Sequence, residues 1–113
     1  MAEPLKRVLQ WLAMVLVVVL VFWPRPALAL PDGAVLFENH CAGCHVRGGN
    51  IIRRGKTLKL AALERQGLAS PEAIAQVAAA GLGQMSGYAT ALGEGGPEAV
   101  AAYVWERAQA GWS

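Results

Sequence analysis

The chain has 113 residues, of which 55% are hydrophobic and 16% are charged, and its formal net charge is +2. Residues 1–29 contain three of the ten Lys and Arg residues and one of the eight Asp and Glu residues, so residues 30–113 carry seven charges of each sign. This length allows one small domain, and the lack of a basic surplus argues against a nucleic-acid partner.

The first element has the features of a secretory signal. Lys6 and Arg7 precede an apolar run over residues 8–22, and an Ala-Leu-Ala sequence ends at Ala29. A basic start, an apolar centre and small residues at the end are typical of a Sec-type signal peptide, here with cleavage after Ala29. The alternative is an uncleaved membrane anchor, which the run disfavours because a bilayer normally requires about 20 apolar residues.

We therefore predict a cleaved signal peptide over residues 1–29 and an exported domain over residues 30–113. A domain of this size has a small hydrophobic core. It usually needs a disulfide, a metal or a cofactor for stability.

The domain opens with a predicted helix that leads into the cysteines and histidines. Asp32 is suited to be the N-cap of a helix over residues 33–38. The stretch N-H-C-A-G-C-H follows, and it holds every cysteine and histidine of the chain between positions 40 and 45. Such a cluster indicates a metal, redox or cofactor site.

Three alternatives fit the spacing of this cluster less well than haem attachment. A structural zinc site usually has two separated ligand pairs, and no second pair lies downstream. A thioredoxin-like site lies beside a βαβ pattern, and nothing after residue 30 alternates like a strand. A simple disulfide gives His45 no role. The remaining interpretation is a C-x-x-C-H motif for c-type haem, formed by Cys41, Cys44 and His45.

The spacing of this motif has a mechanical reason. Positions i and i+3 face the same side of a helical turn, so Cys41 and Cys44 can both reach the vinyl groups on one porphyrin edge. His45 follows at i+4 from Cys41 and can direct its imidazole at the iron. We predict one covalently attached haem c with His45 as an iron ligand.

Three further helices are predicted, and none of the intervening sequence has a strand pattern. They cover residues 58–66 after a Thr57 cap, residues 71–80 after Ser70, and the segment opened by Gly95-Gly96-Pro97. Their inward positions are Leu60, Leu63, Ile74, Val77, Ala78, Val100, Tyr103 and Val104. The predicted class is all-α, with four or five short helices wrapped around one haem.

Met85 is the candidate for the opposite face of the iron. The two other methionines lie in the predicted signal, so Met85 is the only methionine of residues 30–113. It lies in a glycine-rich loop, whose backbone can approach a ligand closely. A gap-filling core role is the alternative, but beside a haem this loop favours iron ligation. His40 is tied to the attachment side by its neighbour Cys41, and we expect it to be exposed.

Residues 30–113 resemble class I cytochromes c, and specifically the cytochrome c6 (c553-type) family of cyanobacteria and algae. The similar segments are the haem turn with its helix, the second-helix start, the approach to the methionine and the closing helix: GAVLFENHCAGCH, GKTLKLAALE, SPEAIAQVAAAGLGQM and VAAYVWERAQAGW. The resemblance implies that Gly33 and Phe37 meet Val100 and Tyr103 where two helices cross.

The resemblance also assigns roles to the site residues. It implies thioether bonds at Cys41 and Cys44, with His45 and Met85 as the axial ligands of the iron. Gln76 matches a glutamine that lies near the haem in the family, so it is expected to lie near the haem here.

The sequence departs from the family pattern at three places. Met85 is followed by Ser86 rather than by proline, which loosens the loop because the fixed φ of a proline ring is lost. Ala91 stands where photosynthetic carriers commonly have an arginine for docking on photosystem I. Arg53 and Arg54 replace an apolar residue and a proline. These departures indicate a divergent cytochrome c6-like paralogue.

The function implied by the resemblance is single-electron transfer rather than enzymatic catalysis. The carrier is expected to be a monomer in the thylakoid lumen or periplasm, in transient complexes with cytochrome b6f and with photosystem I or a terminal oxidase. Ala89, Leu92 and Ile51 are expected to dock partners, and the basic residues at 53, 54 and 56 either steer them or form an ordinary solvated face. The alternatives are a haem-based sensor with a labile sixth ligand and a membrane-tethered carrier.

Overall fold

The computed structural model describes residues 2–24 and 31–113. The elements are α1 (Ala2–Phe22), α2 (Gly33–His40), a 3-10 turn (Val46–Gly48), α3 (Leu60–Arg65), α4 (Pro71–Ala80), β1 (Gly81–Leu82), β2 (Met85–Ser86), α5 (Ala89–Leu92) and α6 (Gly96–Gln109). Helices dominate this described part, and the five short α-helices after residue 31 confirm the predicted class.

By its length and composition helix α1 could cross a membrane, so the argument against an anchor from a short apolar run does not hold. It has 21 residues, none of which is buried, and its most apolar window has a mean hydropathy of 2.1. A signal sequence near an N-terminus has the same properties. The predicted cleavage site after Ala29 lies outside the described residues, so the removal of residues 1–29 stays a prediction.

Helix α2 begins at the predicted cap. The Asp32 carboxylate accepts hydrogen bonds from the backbone N–H groups of Ala34 at 3.0 Å and Val35 at 3.4 Å. These bonds satisfy donors that have no partner inside the helix. The helix ends at His40, and Cys41 is its C-cap residue.

Helix α2 crosses α6 at a point where a glycine allows close approach. A Cβ atom on Gly33 would overlap the carbonyl oxygen of Ala99 and lie 3.1 Å from the Cβ of Tyr103. The Phe37 ring, one turn further along α2, lies 5.3 Å from the Tyr103 ring and shares a buried cluster with Val100. These contacts confirm the predicted crossing of the two helices.

The core is a single cluster to which all five short helices contribute. Its buried members are Phe37, Leu63, Ile74, Ala78, Leu92, Val100, Ala101, Val104 and Ala108.

Helix α4 starts as predicted, because the Ser70 hydroxyl accepts a hydrogen bond from the Ala73 N–H at 3.1 Å. Its inward face packs on α6, and this places the end of α4 next to the hairpin formed by β1 and β2.

Trp112 packs over the 3-10 turn and ties it to the core. Its ring lies 5.3 Å from the Phe37 ring, and its indole N–H donates to the Leu58 carbonyl at 3.0 Å. Gly48 lies directly under the indole, where a Cβ atom would overlap the ring, and its φ of +79° also favours glycine. The segment that follows the cysteine motif is therefore anchored to the pair formed by α2 and α6.

Two features differ from the predictions. Helix α3 begins at Leu60 and has no cap from Thr57, because Leu58 is engaged elsewhere: its N–H donates to the Gly48 carbonyl at 2.7 Å and its carbonyl accepts from Trp112. Strands β1 and β2 form an antiparallel pair. Each strand has two residues, too few for an alternating pattern to be visible in sequence.

Replacing Gly33 by alanine is expected to weaken the contact between α2 and α6. The added methyl group meets the Ala99 backbone, which cannot move aside as a flexible side chain can, and overpacking of this kind costs about 1–3 kcal/mol. The free energy of unfolding, measured by denaturant titration of the mature protein, should fall by that amount.

Gly55→Ala is the matched control for this substitution. Nothing lies within 4 Å of a Cβ atom at Gly55, so its unfolding free energy should change by less than about 0.5 kcal/mol. Equal stabilities for Gly33→Ala and Gly55→Ala would contradict the close contact between α2 and α6.

Candidate functional site

The two cysteines and His45 lie on one tight turn that follows α2. The backbone N–H groups of Cys44 and His45 both donate to the Cys41 carbonyl, at 3.2 and 2.9 Å. The turn is therefore helical, and Cys41 and Cys44 lie on the same side of it, as their spacing predicts. The two cysteines form no disulfide with each other, and Cys41 is half-buried whereas Cys44 is exposed.

The environment of Cys41 disfavours the thiolate form that a metal-thiolate or redox site needs. Burial raises the pKa of the Cys41 thiol, and the neighbouring Cys44 adds to this rise, so the neutral form of Cys41 is favoured. Metal binding and redox catalysis both require the thiolate. In the part of the chain that the structure describes, no group of three or more His, Cys, Asp and Glu side chains could hold a metal ion.

His45 is held in one tautomer by its own segment. Its Nδ1 lies 2.7 Å from the Gly49 carbonyl oxygen, and because a carbonyl only accepts, Nδ1 carries the proton. In the neutral ring Nε2 is then the unprotonated nitrogen, and this is the atom that binds a metal. Metal-bound histidines nearly always donate their second ring N–H in this way, so the bond prepares His45 to be an iron ligand.

A cavity of about 550 Å³ opens beside this turn. Its volume lies in the range of cofactor pockets, about 300–1,000 Å³. The two cysteines and His45 line one part of the wall, and Met85 lines another. Apolar side chains contribute much of the remaining wall, among them Ile52, Leu58, Leu63, Leu68, Val77 and Leu82.

Met85 reaches this cavity on strand β2. Strand β1 pairs with β2 so that Gly81 lies opposite Ser86. A Cβ atom on Gly81 would lie 2.5 Å from the Met85 carbonyl oxygen, and one on Gly87 would overlap the Ala79 carbonyl. Gly87 therefore lets the hairpin backbone lie directly on the end of α4, and Gly81 lets the two strands come close together. The expected close approach of this loop to the haem stays a prediction.

Gln76 does not lie at the cavity, so the expectation for this residue is wrong. Gln76 is exposed on α4, whereas Val77 lines the cavity wall. One residue along a helix turns the side chain by about 100°. The burial of Ile74 and Ala78 in the core fixes which face of α4 points inward, and it gives the cavity position to Val77.

The expectations for His40 and Leu92 are also corrected. His40 is half-buried and lines the cavity, because it ends α2 directly before Cys41. Leu92 is only 5% exposed because α6 begins against it, with Gly96 close to its side chain. Leu92 therefore belongs to the core and cannot dock a partner, whereas Ile51 is exposed as expected.

Asn50 organises the loop after the cysteine motif. Its side-chain oxygen accepts from the N–H groups of Ile52 at 2.9 Å and Arg53 at 2.8 Å, and its amide donates to the Lys56 carbonyl at 3.0 Å. The Arg53 Nε donates in turn to the Gln84 Oε1 on the hairpin at 3.3 Å. Sequence reasoning identified Arg53 only as a basic surface residue and missed Asn50 and Gln84. An asparagine after two glycines is a signal for such a turn, but the contact with Gln84 has no local signal.

The assembled residues fit a c-type haem. Two thiols lie on one side of a turn, an imidazole is prepared as a ligand by its bond to Gly49, and a thioether lines the same largely apolar cavity. Imidazole and thioether are a known axial pair for haem iron in cytochromes c. A hydrophobic core has no need of two thiols, an imidazole and a thioether around one cavity, so this set of side chains indicates a cofactor site.

Comparison with known proteins places this site in a family. Residues 28–104 match the family described as cytochrome C oxidase, cbb3-type, subunit III. The crystal structure of cytochrome c6B from Synechococcus sp. WH8102 is 67% identical, with a TM-score of 0.71, and the match covers 72% of this chain and 92% of that one. A cytochrome c6-like protein of Nostoc sp. is 47% identical over 72% of this chain and 73% of its own length. The chain belongs to the cytochrome c6 family.

Within the family, this chain is more similar to cytochrome c6B than to the cytochrome c6 of a diatom. The structure of cytochrome c6 from the diatom Phaeodactylum tricornutum is 33% identical, with a TM-score of 0.68 and coverage of 73% and 100% of the two chains. That identity is half of the value for cytochrome c6B, which agrees with the departures at Ser86, Ala91 and Arg53.

Family membership supplies the cofactor and the general activity. This cytochrome c6 has one covalently attached haem c, whose attachment motif contains Cys41, Cys44 and His45. Its homologues are cytochromes c6, and electron transfer is the function that this family membership supplies.

Proposed function

We propose that this cytochrome c6 transfers single electrons through a haem whose iron is bound by His45 on one side and by Met85 on the other. Cys41 and Cys44 would hold the haem as thioethers. The observation that carries this proposal is the bond from His45 Nδ1 to the Gly49 carbonyl, beside a cavity that Met85 also lines.

Each ligand has a distinct physical role in this proposal. The Gly49 carbonyl fixes the His45 ring and makes Nε2 a better electron donor to the metal. The Met85 thioether is a soft ligand that favours a high reduction potential. The bound haem supplies the electron-accepting iron, and two occupied axial positions leave no site for a substrate. The protein is therefore suited to transferring charge rather than to binding small molecules.

A second candidate function is a haem-based sensor whose sixth ligand is easily displaced. Two observations favour it: Ser86 stands in place of proline, and the tip of the hairpin, residues 82–84, is exposed. A hairpin without the fixed φ of proline has more freedom to open. The strength of the bond between Met85 and the iron decides between the two functions.

Visible spectra of the holoprotein test the ligation by Met85. The ferric protein should show the thioether-to-iron charge-transfer band in the red, and the ferrous protein should bind carbon monoxide only slowly. Met85→Ala should abolish the band, bind carbon monoxide readily and lower the midpoint potential, because the thioether favours ferrous iron.

Ser86→Pro is the matched control, since it restores the fixed φ without changing the ligand. It should keep the red band and bind carbon monoxide no faster than the wild type. A wild-type protein that lacks the band and binds carbon monoxide at once would favour the sensor.

An exposed apolar surface next to the cavity is suited to partner docking. The mouth patch consists of Ile51, Ile52 and Leu82, which are 69%, 66% and 50% exposed. Exposed apolar side chains that cluster at a functional site mark interaction surfaces. We propose transient, monomeric docking through this patch on cytochrome b6f as donor and on photosystem I or a terminal oxidase as acceptor.

Basic residues beside the mouth patch are proposed to steer these partners. Arg54 and Lys56 are exposed in the same loop as Ile51. Arg54→Glu, Lys56→Glu should lower the second-order rate of electron transfer from the cytochrome b6f complex by roughly two- to tenfold at low ionic strength. The difference from wild type should disappear in high salt.

A charge-matched variant separates steering from net charge. Lys59→Glu, Arg65→Glu makes the same change at two exposed residues that do not line the cavity, and its rate should stay close to that of the wild type. Equal rates for both double variants at every ionic strength would remove the steering role.

We also propose that residues 1–29 are removed on export to the thylakoid lumen or periplasm. The apolar helix α1 supports a signal sequence, and a Sec-type signal is cleaved after small residues. Intact mass measurement of the purified holoprotein should show a chain that begins at Leu30. A mass that includes residues 1–29 would instead identify a membrane-tethered carrier.

A further inference from the structure

We propose that Arg53 is a positioning residue that holds the tip of the Met85 hairpin across the mouth of the haem cavity. It acts through its hydrogen bond to Gln84, the residue directly before Met85. This inference rests on the proposed ligation of the iron by Met85, and it concerns how firmly that ligand is held.

The bond between Arg53 and Gln84 joins two distant parts of the chain. The Arg53 Nε donates to the Gln84 Oε1 at 3.3 Å, across 31 positions of sequence. Both residues line the cavity, as do His45 and Met85. Within residues 2–24 and 31–113, it is the only hydrogen bond between two side chains. The bond therefore connects the histidine side of the cavity to the methionine side.

Arg53 is held in place by its own loop. The Asn50 side-chain oxygen accepts from the Arg53 N–H at 2.8 Å, and the Asn50 amide closes the loop on the Lys56 carbonyl. The Ile51 N–H donates to the Cys44 carbonyl at 3.0 Å. The backbone of Arg53 is thus fixed relative to the cysteine motif. The Arg53 side chain therefore extends from a loop that is held by hydrogen bonds.

The hairpin is firmly held only at its base. There the Tyr88 N–H donates to the Ala78 carbonyl at 2.8 Å, and Gly87 lies against the end of α4. Its tip is different, because Leu82 and Gln84 are both exposed. In the described structure the bond from Arg53 is the one polar contact between this tip and the rest of the protein.

The physical consequence concerns displacement of the sixth ligand. Another molecule can bind the iron only after Met85 moves away, and this opening must break the bond between Arg53 and Gln84. A hydrogen bond of this kind shifts such an equilibrium by about two- to tenfold. Arg53 restrains the hairpin through a side-chain contact from a different loop. The family commonly has a proline within the hairpin itself.

The test measures imidazole binding to the ferric holoprotein by stopped flow. Arg53→Ala and Gln84→Ala should each raise the apparent affinity for imidazole and its rate of binding by about two- to tenfold. The double variant should show no more than the larger single effect, because both substitutions remove the same contact. Gln84→Glu keeps an acceptor and adds a charge, so it should restore slow binding in a salt-dependent way.

Arg54→Ala is the matched control, since it removes an exposed neighbouring arginine but leaves the bond to Gln84 intact. A second readout is amide hydrogen exchange of residues 82–86, which should quicken in Arg53→Ala while the melting temperature stays close to that of Arg54→Ala. A merely structural role for Arg53 would instead lower the melting temperature and leave imidazole binding unchanged.

The outcomes separate this inference from the proposed function. If the wild type shows the red band but all variants bind imidazole and exchange amides alike, Arg53 does not position the hairpin. A wild type without the band contradicts ligation by Met85 and, with it, control of that ligand by Arg53. Additive effects in the double variant would also overturn the inference, because they would show that the two residues act separately.

Discussion

The hydrogen bond from His45 Nδ1 to the Gly49 carbonyl is the interaction on which the site depends. It leaves Nε2 as the only nitrogen that can bind a metal. Gly49 is itself held by a bond from its N–H to the Val46 carbonyl at 2.9 Å, and its neighbour Gly48 lies beneath Trp112. The ligand geometry of a five-residue motif is thus supported by the aromatic cluster of Phe37, Tyr103 and Trp112.

The opposite wall of the cavity has a different construction. Met85 lies on a hairpin of two-residue strands, which has little stability by itself. Close backbone contact with the end of α4, made possible by Gly87, supplies the support that such a hairpin lacks. The position of the methionine therefore depends on how α4 packs in the core, and so does the apolar wall at Val77.

The surface around the cavity is suited to the short-lived complexes that an electron carrier forms. The mouth patch exposes apolar side chains at the point where electrons would enter and leave, and residues 30–113 carry equal numbers of positive and negative charges. A neutral domain has only weak long-range attraction to any partner. Short-lived complexes that depend on a small apolar contact and a few nearby charges suit a protein that must dissociate after every transfer.

The sequence by itself determined the features that rest on neighbouring residues: the Asp32 and Ser70 caps, the helical class and the haem motif. Each of these needs only residue types and spacings within a few turns of helix. Only the tertiary structure decided that the inward-facing Val77 lines the cavity, that Leu92 is buried, and that Arg53 meets Gln84. A shift of one residue turns a helical side chain by about 100°, and a contact across 31 residues leaves no periodic pattern, so both depend on how the helices pack.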